Sequence, residues 1–123
     1  MLLVDSSGWI EFFTDGPFAD LYAKYLKDPT KLKTPTIVVY EVYKKIKREK
    51  TEEEALLAVS AIHRTSIIEL SESISLLAAD LSLKHELPMV DAIVYATALE
   101  ENCRVVTSDT HFKRLERVFA DVI

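Results

Sequence analysis

"MLLVDSSGWIEFF", residues 1–13, decides how the rest of the chain is read. The apolar run Leu2–Val4 is short and Asp5 ends it, the pattern of a buried first strand. The stretch from Ser6 to Phe13 then reads as a short helix, with Ser6 or Ser7 as its cap. A strand that passes into a helix across a single carboxylate is the opening of an α/β alternation, and the remaining segments continue it. "FADLYAKYLK" (18–27) has apolar residues at helical spacing and is stopped by Asp28-Pro29. "KLKTP" (31–35) is a short strand, and Thr36 can cap a helix running to about Lys50. Thr51 with Glu54 forms a capping box that starts a further helix. "TSIIEL" (65–70) is a β-branched strand, "SESISLLAADLSLKHE" (71–86) an amphipathic helix, and "LPMVDAIVYATALEE" (87–101) a helix apolar almost all round. "CRVVTS" (103–108), "THFKRLE" (110–116) and "VFADVI" (118–123) complete the pattern as strand, helical turn and strand. Strands alternating with helices imply a three-layer αβα domain around a central parallel sheet.

The 123 residues suit one domain, residues 1–123, with a real core. Hydrophobic residues at 49% and charged residues at 28% place the chain among globular proteins rather than disordered ones. No apolar run reaches bilayer-spanning length, and the start lacks the basic region of a signal peptide. Cys103 is the only cysteine, so no internal disulfide can form and a reducing cytoplasm is the expected compartment. A net charge of −5 argues against binding nucleic acid by blanket positive charge, though a nuclease needs only a local positive field.

Four acids fall where such a domain gathers function. Asp5 and Asp109 follow the first strand and the "RVV" strand, at the carboxyl edge where open α/β sheets bind ligands. Glu41 and Asp91 lie on helices in apolar contexts, Asp91 near a helix start that can face the same edge. Each has an ordinary explanation alone. Asp5 and Asp109 can be caps, and Glu41 can pair with Lys45 four residues on. Asp91 in the first turn, with Pro88 at the first helical position, gains about 0.3–1 kcal/mol from the helix dipole. Together, buried carboxylates repel unless a cation relieves them. All-oxygen ligands favour Mg²⁺ or Mn²⁺, whereas zinc would want Cys and His, and Cys103, His63, His85 and His111 show no ligand spacing. A carboxylate-bound Mg²⁺ activates water for attack on a phosphodiester.

The order "VDSSGWIEFF", "TPTIVVYEV", "LPMVDAIVYATALE", "VVTSDTHF" resembles a PIN domain, and within that family the VapC-type toxin ribonucleases. The resemblance runs from Val4 to Phe112, and "TSDTHF" with "DAIVYATALE" are its most specific parts. It implies a metal-dependent endoribonuclease in which Asp5, Asp91 and Asp109 are metal ligands, and Glu41 holds the metal directly or through water. It further implies supporting roles for Ser7 and Thr107 in orienting carboxylates or water, although a capping role for Ser7 fits equally. RNA would be hydrolysed by metal-activated water, leaving a 3′-hydroxyl and a 5′-phosphate. The implied partners are RNA, a second copy of the chain and a small antitoxin protein. One departure is the tail "ERVFADVI", which lacks the glycine that often precedes the last strand.

Other readings remain open at this level. The chain could be a PIN-fold RNA-processing nuclease outside any toxin–antitoxin pair, or a non-catalytic RNA- or protein-binding module. A receiver-like phosphoacceptor would carry paired acids after the first strand, where Ser6 stands, and no glycine-rich phosphate loop exists for a nucleotide-binding domain. Lys44, Lys45, Lys47, Arg48 and Lys50 in "KKIKREK" read either as a phosphate-tracking strip or as a solvated helix end that complements the dipole, the second being the more ordinary. "KRLER" has the same ambiguity. Trp9, Phe12, Phe13, Tyr40 and Tyr43 read as core or interface more readily than as base-stacking surfaces. His111 stays outside the catalytic set, because carboxylate–metal sites do not require it.

Overall fold

The computed structural model describes residues 1–112, 115, 118 and 119. Five parallel strands and six helices alternate along them: β1 (Leu2–Val4), α1 (Ser6–Phe13), α2 (Ala19–Leu26), β2 (Lys33–Pro35), α3 (Thr36–Glu49), α4 (Glu52–Ile62), β3 (Ser66–Ile68), α5 (Glu72–His85), α6 (Met89–Glu100), β4 (Arg104–Val106) and β5 (Val118–Phe119). The layering is the three-layer α/β arrangement expected from the alternation. Strands β1, β4 and β5 form one ladder and β2 with β3 another, all parallel. A parallel bridge between Leu2 and Leu32 brings the two ladders edge to edge. The chain therefore moves from β1 to β2 and β3 on one side, then crosses to β4 and β5 on the other. That reversal of strand order lies between β1 and β4, so their carboxyl ends flank the crevice where open sheets hold ligands.

Strand residues facing both layers explain the unbroken apolar runs. Leu3, Val4, Val105 and Val106 are essentially inaccessible to water. Val38, Val42 and Ile46 recur at i, i+4 and i+8 and bury one stripe of α3. Helix α6 is buried at every residue from Ala92 to Ala98, which accounts for its lack of a polar face. One buried polar pair is fully satisfied: the Thr34 and Thr65 hydroxyls lie 2.7 Å apart, and Thr65 donates to the Ile62 carbonyl.

Several boundaries differ from the sequence expectation. Asp5, not Ser6 or Ser7, caps α1, and its side chain accepts the Gly8 N–H. Pro35 precedes α3, so Thr36 is its first residue rather than its cap. Pro88 is the cap residue of α6 rather than its first helical residue. Thr51 caps α4 through the Glu54 N–H as the capping box required. The helical turn after Asp109 is described over Thr110–Phe112, and the expected last strand over Val118–Phe119. Lys113, Arg114, Glu116 and Arg117 of "KRLER", and residues 120–123, lie outside the described residues. Among the described residues, no helix is long and apolar enough to cross a membrane.

With Gly8 and Gly16 the only glycines, helix ends rely on other residues for the left-handed conformation. Glu86 closes α5 at φ 55°, with the Leu87 N–H returning to the Ser82 carbonyl. For a side chain bearing Cβ, that geometry costs about 1–2 kcal/mol. Glu86→Gly is expected to raise unfolding free energy by about 0.5–1 kcal/mol after the entropy of glycine is counted, read as an upward shift in Tm.

Candidate metal centre

Asp5 leaves β1 and turns the chain into α1. Its Oδ1 accepts from the Gly8 N–H at 3.2 Å and from the Ser7 hydroxyl at 2.8 Å. Its Oδ2 accepts from the Thr107 hydroxyl, and Thr107 Oγ1 in turn accepts the Asp109 N–H at 2.9 Å. The ordinary and the functional readings of Asp5 thus hold in one residue: it caps a helix and ties the loop after β4 to the end of β1. Close packing supports this join. A Cβ on Gly8 would stand 2.6 Å from Tyr22 Cε1 and 2.6 Å from Val4 Cγ1. Tyr22 itself is fully buried and donates its hydroxyl to Ser108 Oγ at 2.9 Å, fastening the same loop from below.

Asp91 is the third residue of α6, and Asp109 follows β4 by a three-residue step. His111 lies between them, with Nδ1 2.8 Å from Asp91 Oδ2 and 3.0 Å from Asp109 Oδ1. The His111 backbone N–H also donates to Asp109 Oδ1 at 2.8 Å. Asp91, Asp109 and His111 each offer a ligand atom, all within 4.8 Å of one another. Among the described residues this is the group able to hold a metal ion. Asp5 adjoins it through Thr107, while Glu41 stands to one side.

Glu41 docks on the first turn of α1, where its Oε1 accepts the Ser6 hydroxyl at 2.7 Å. An ion pair with Lys45 does not form among the described residues. The structure therefore brings Asp91 and Asp109 into direct proximity, links Asp5 to them by one hydroxyl, and seats Glu41 beside Asp5 through Ser6. His111 is the residue that spacing did not reveal. Its only sequence signal is position two after Asp109, which becomes meaningful once Thr110–Phe112 coils into a 3₁₀ turn. Tyr22 and Ser108 left no signal beyond apolar periodicity and a loop hydroxyl.

Electrostatics single out two of the acids. Burial pushes the Asp5 carboxyl up to about 6, against hydrogen bonds from Thr107, Ser7 and Gly8 that pull it down. Burial and the neighbouring Asp109 charge push Asp91 up to about 6 as well, with His111 opposing. At Asp91, desolvation and like-charge repulsion outweigh the imidazole. Oxygen donors with repelling charge, accompanied by one imidazole, fit a hard divalent cation.

The chain belongs to the PIN domain family, whose profile matches residues 2–118. Its fold is shared with a toxin–antitoxin complex from Klebsiella pneumoniae, at TM-score 0.80 and 24% identity over 96% of this chain and 95% of that one. VapC20 of Mycobacterium tuberculosis, a toxin that cleaves the sarcin–ricin loop, gives TM-score 0.80 at 14% identity over 94% and 95%. VapBC2 from Rickettsia felis, solved on a promoter DNA fragment, gives 0.75 at 20% identity over 95% and 94%. No curated protein sequence matches the chain.

Two measurements follow from this geometry. Gly8→Ala is expected to destabilise the protein by about 1–3 kcal/mol, because both Tyr22 and Val4 must move; a denaturant midpoint unchanged from the parent would contradict that packing. The second concerns pH. Asp5 and Asp91 titrate near 6 when folded and near 3.8 when unfolded, so between these values the folded state binds more protons. Their contribution to metal-free stability therefore rises as pH falls from about 7 to about 4, by roughly 1–3 kcal/mol per group. Urea unfolding in EDTA at pH values of about 7.5 and about 5 reads this directly, and saturating Mn²⁺ should flatten the trend by favouring the ionised carboxylates.

Proposed function

We propose that this PIN domain is a Mg²⁺- or Mn²⁺-dependent endoribonuclease and the toxin of a toxin–antitoxin pair, formed by a single domain over residues 1–123. The observation that carries the reading is the approach of Asp91, Asp109 and His111 to within 4.8 Å at the carboxyl edge of a parallel sheet. Asp91 and Asp109 would hold the ion, with Asp5 and Glu41 completing the acidic face. A bound divalent ion supplies activation of water and neutralisation of phosphate charge. The remaining work falls to the chain. Thr107 and Ser7 fix both oxygens of Asp5, Ser6 fixes Glu41, and the buried helix α6 prevents Asp91 from retreating. Water oxygen adds to phosphorus as the P–O3′ bond breaks, which consumes one water and leaves a 5′-phosphate and a 3′-hydroxyl.

Toxin–antitoxin and VapBC complexes among the structural neighbours support a small antitoxin partner. The exposed apolar side chains Leu76 and Leu83 of α5, two helical turns apart, support association with a second copy. RNA is the proposed substrate and the cytoplasm the proposed compartment.

Purified protein is expected to cleave single-stranded RNA with Mg²⁺ or Mn²⁺ and to stop on addition of EDTA. Asp91→Asn should lower kcat by about 10²-fold or more while the circular dichroism spectrum is kept. The same variant should weaken Mn²⁺ binding in calorimetry, and full activity in Asp91→Asn would overturn the site.

A further inference from the structure

Beside the acids lies a groove of about 630 Å³ between α1 and α3, lined by the cations Lys44, Lys45, Arg48 and Lys50 and by the acids Glu11, Glu41 and Glu49. One side carries Ser6 and Ser7, the residues that position Glu41 and Asp5. The other is the exposed face of α3, with Tyr40, Lys44, Lys45 and Arg48. The sequence places five cations together in residues 44–50, but the fold separates them. Lys44, Lys45, Arg48 and Lys50 line the groove, whereas Lys47 does not. Lys47 Nζ instead meets Glu52 Oε1 at 3.3 Å and the Tyr43 hydroxyl at 3.3 Å, on the side of α3 that packs toward α4.

The groove cations are available to a ligand. Lys45 has no ion-pair partner among the described residues. Arg48 reaches only the exposed Glu49, at 3.8 Å, a solvent-screened contact of little worth. Lys44 Nζ donates to the Tyr40 hydroxyl at 3.2 Å and sits 5.4 Å from the ring centroid, which holds its charge on the groove wall. Tyr40 is 54% exposed, while Trp9 is buried and stacked on Phe13, so the aromatic surface at this groove is Tyr40. In a chain of net charge −5, a polyanion drawn to an acidic centre needs such a local track. A cationic groove with an aromatic platform is the chemistry of a single nucleic-acid strand.

We infer that Lys45 and Arg48, with Lys44 and Tyr40, bind the sugar–phosphate backbone of single-stranded RNA and lead it across Ser6 and Ser7 to the acids. This rests on the ribonuclease reading for the identity of the strand, but its test does not depend on cleavage. The probe is a fluorescent single-stranded RNA of about 12 nucleotides, titrated in EDTA with protein carrying Asp91→Asn. Adding Lys45→Ala and Arg48→Ala together is expected to weaken binding about tenfold and to reduce the log–log salt slope by about one to one and a half. Adding Lys47→Ala instead should leave affinity within about twofold. Equal losses from both changes would show a diffuse charge effect and overturn the groove, as would an unchanged affinity in the double substitution. Tighter binding to a duplex of the same length would overturn the single-strand assignment. If binding follows this pattern while the parent protein cleaves no RNA, the groove stands and the nuclease reading fails.

Discussion

The carboxylates of Asp91 and Asp109 are held near each other, partly out of water, with their like charges opposed. Everything around them resists the relaxation that this repulsion favours. Asp91 cannot swing away because α6 is enclosed from Ala92 to Ala98. Asp109 cannot, because its N–H is fixed to Thr107 and its carboxylate receives the His111 N–H. Burial and the Asp109 charge together push the Asp91 carboxyl up to about 6, a cost that the fold carries. A bound cation would offset it, and the His111 imidazole, standing between the two acids, opposes it in part.

The site depends on the join between β1 and α1 as much as on the acids. Asp5 commits both oxygens to local contacts, yet those contacts run to Thr107 and so to Asp109. Gly8 allows α1 to lie against Tyr22, and Tyr22 reaches Ser108 in the loop after β4. Helix capping, core packing and loop placement therefore meet in Asp5, Gly8, Tyr22, Thr107 and Ser108. A change at Gly8 acts on the metal centre through packing, without altering any ligand.

How much of this was legible follows from the range of each interaction. The strand–helix alternation could be read because buried parallel strands leave continuous apolar runs, as in Leu2–Val4 and Val105–Val106. The PIN resemblance rested on the order of the acid-bearing segments, and the family match bears out that resemblance. Contacts between distant segments were invisible. Ser6 with Glu41 spans 35 positions and Thr107 with Asp5 spans 102, and neither leaves a periodic trace. His111 stayed outside the set because carboxylate–metal sites do not require a histidine, whereas tertiary structure brings it between Asp91 and Asp109. Asp5 as a cap was one of the readings the residues offered, beside the two serines that follow it, and the structure selects it. Trp9 and Phe13 were correctly read as packed aromatics, since they stack on each other against the core.

The basic end of α3 shows why one structural role need not exclude another. Lys47 and Arg48 occupy the last turn, where cations offset the partial negative charge of exposed carbonyls. That argument explains both residues equally and says nothing of direction. Side-chain neighbours supply the direction. Lys47 turns to Glu52 at the start of α4, where its charge helps hold two helices together. Lys45 and Arg48 line the groove shared with Ser6 and Glu41, where Glu11 of α1 stands on the other wall. A helix end therefore satisfies its dipole with all of its cations and still keeps two for a polyanion. Because Asp91 and Asp109 do not line this groove, its cations can draw a phosphodiester strand to a chain of net negative charge without neutralising those two carboxylates.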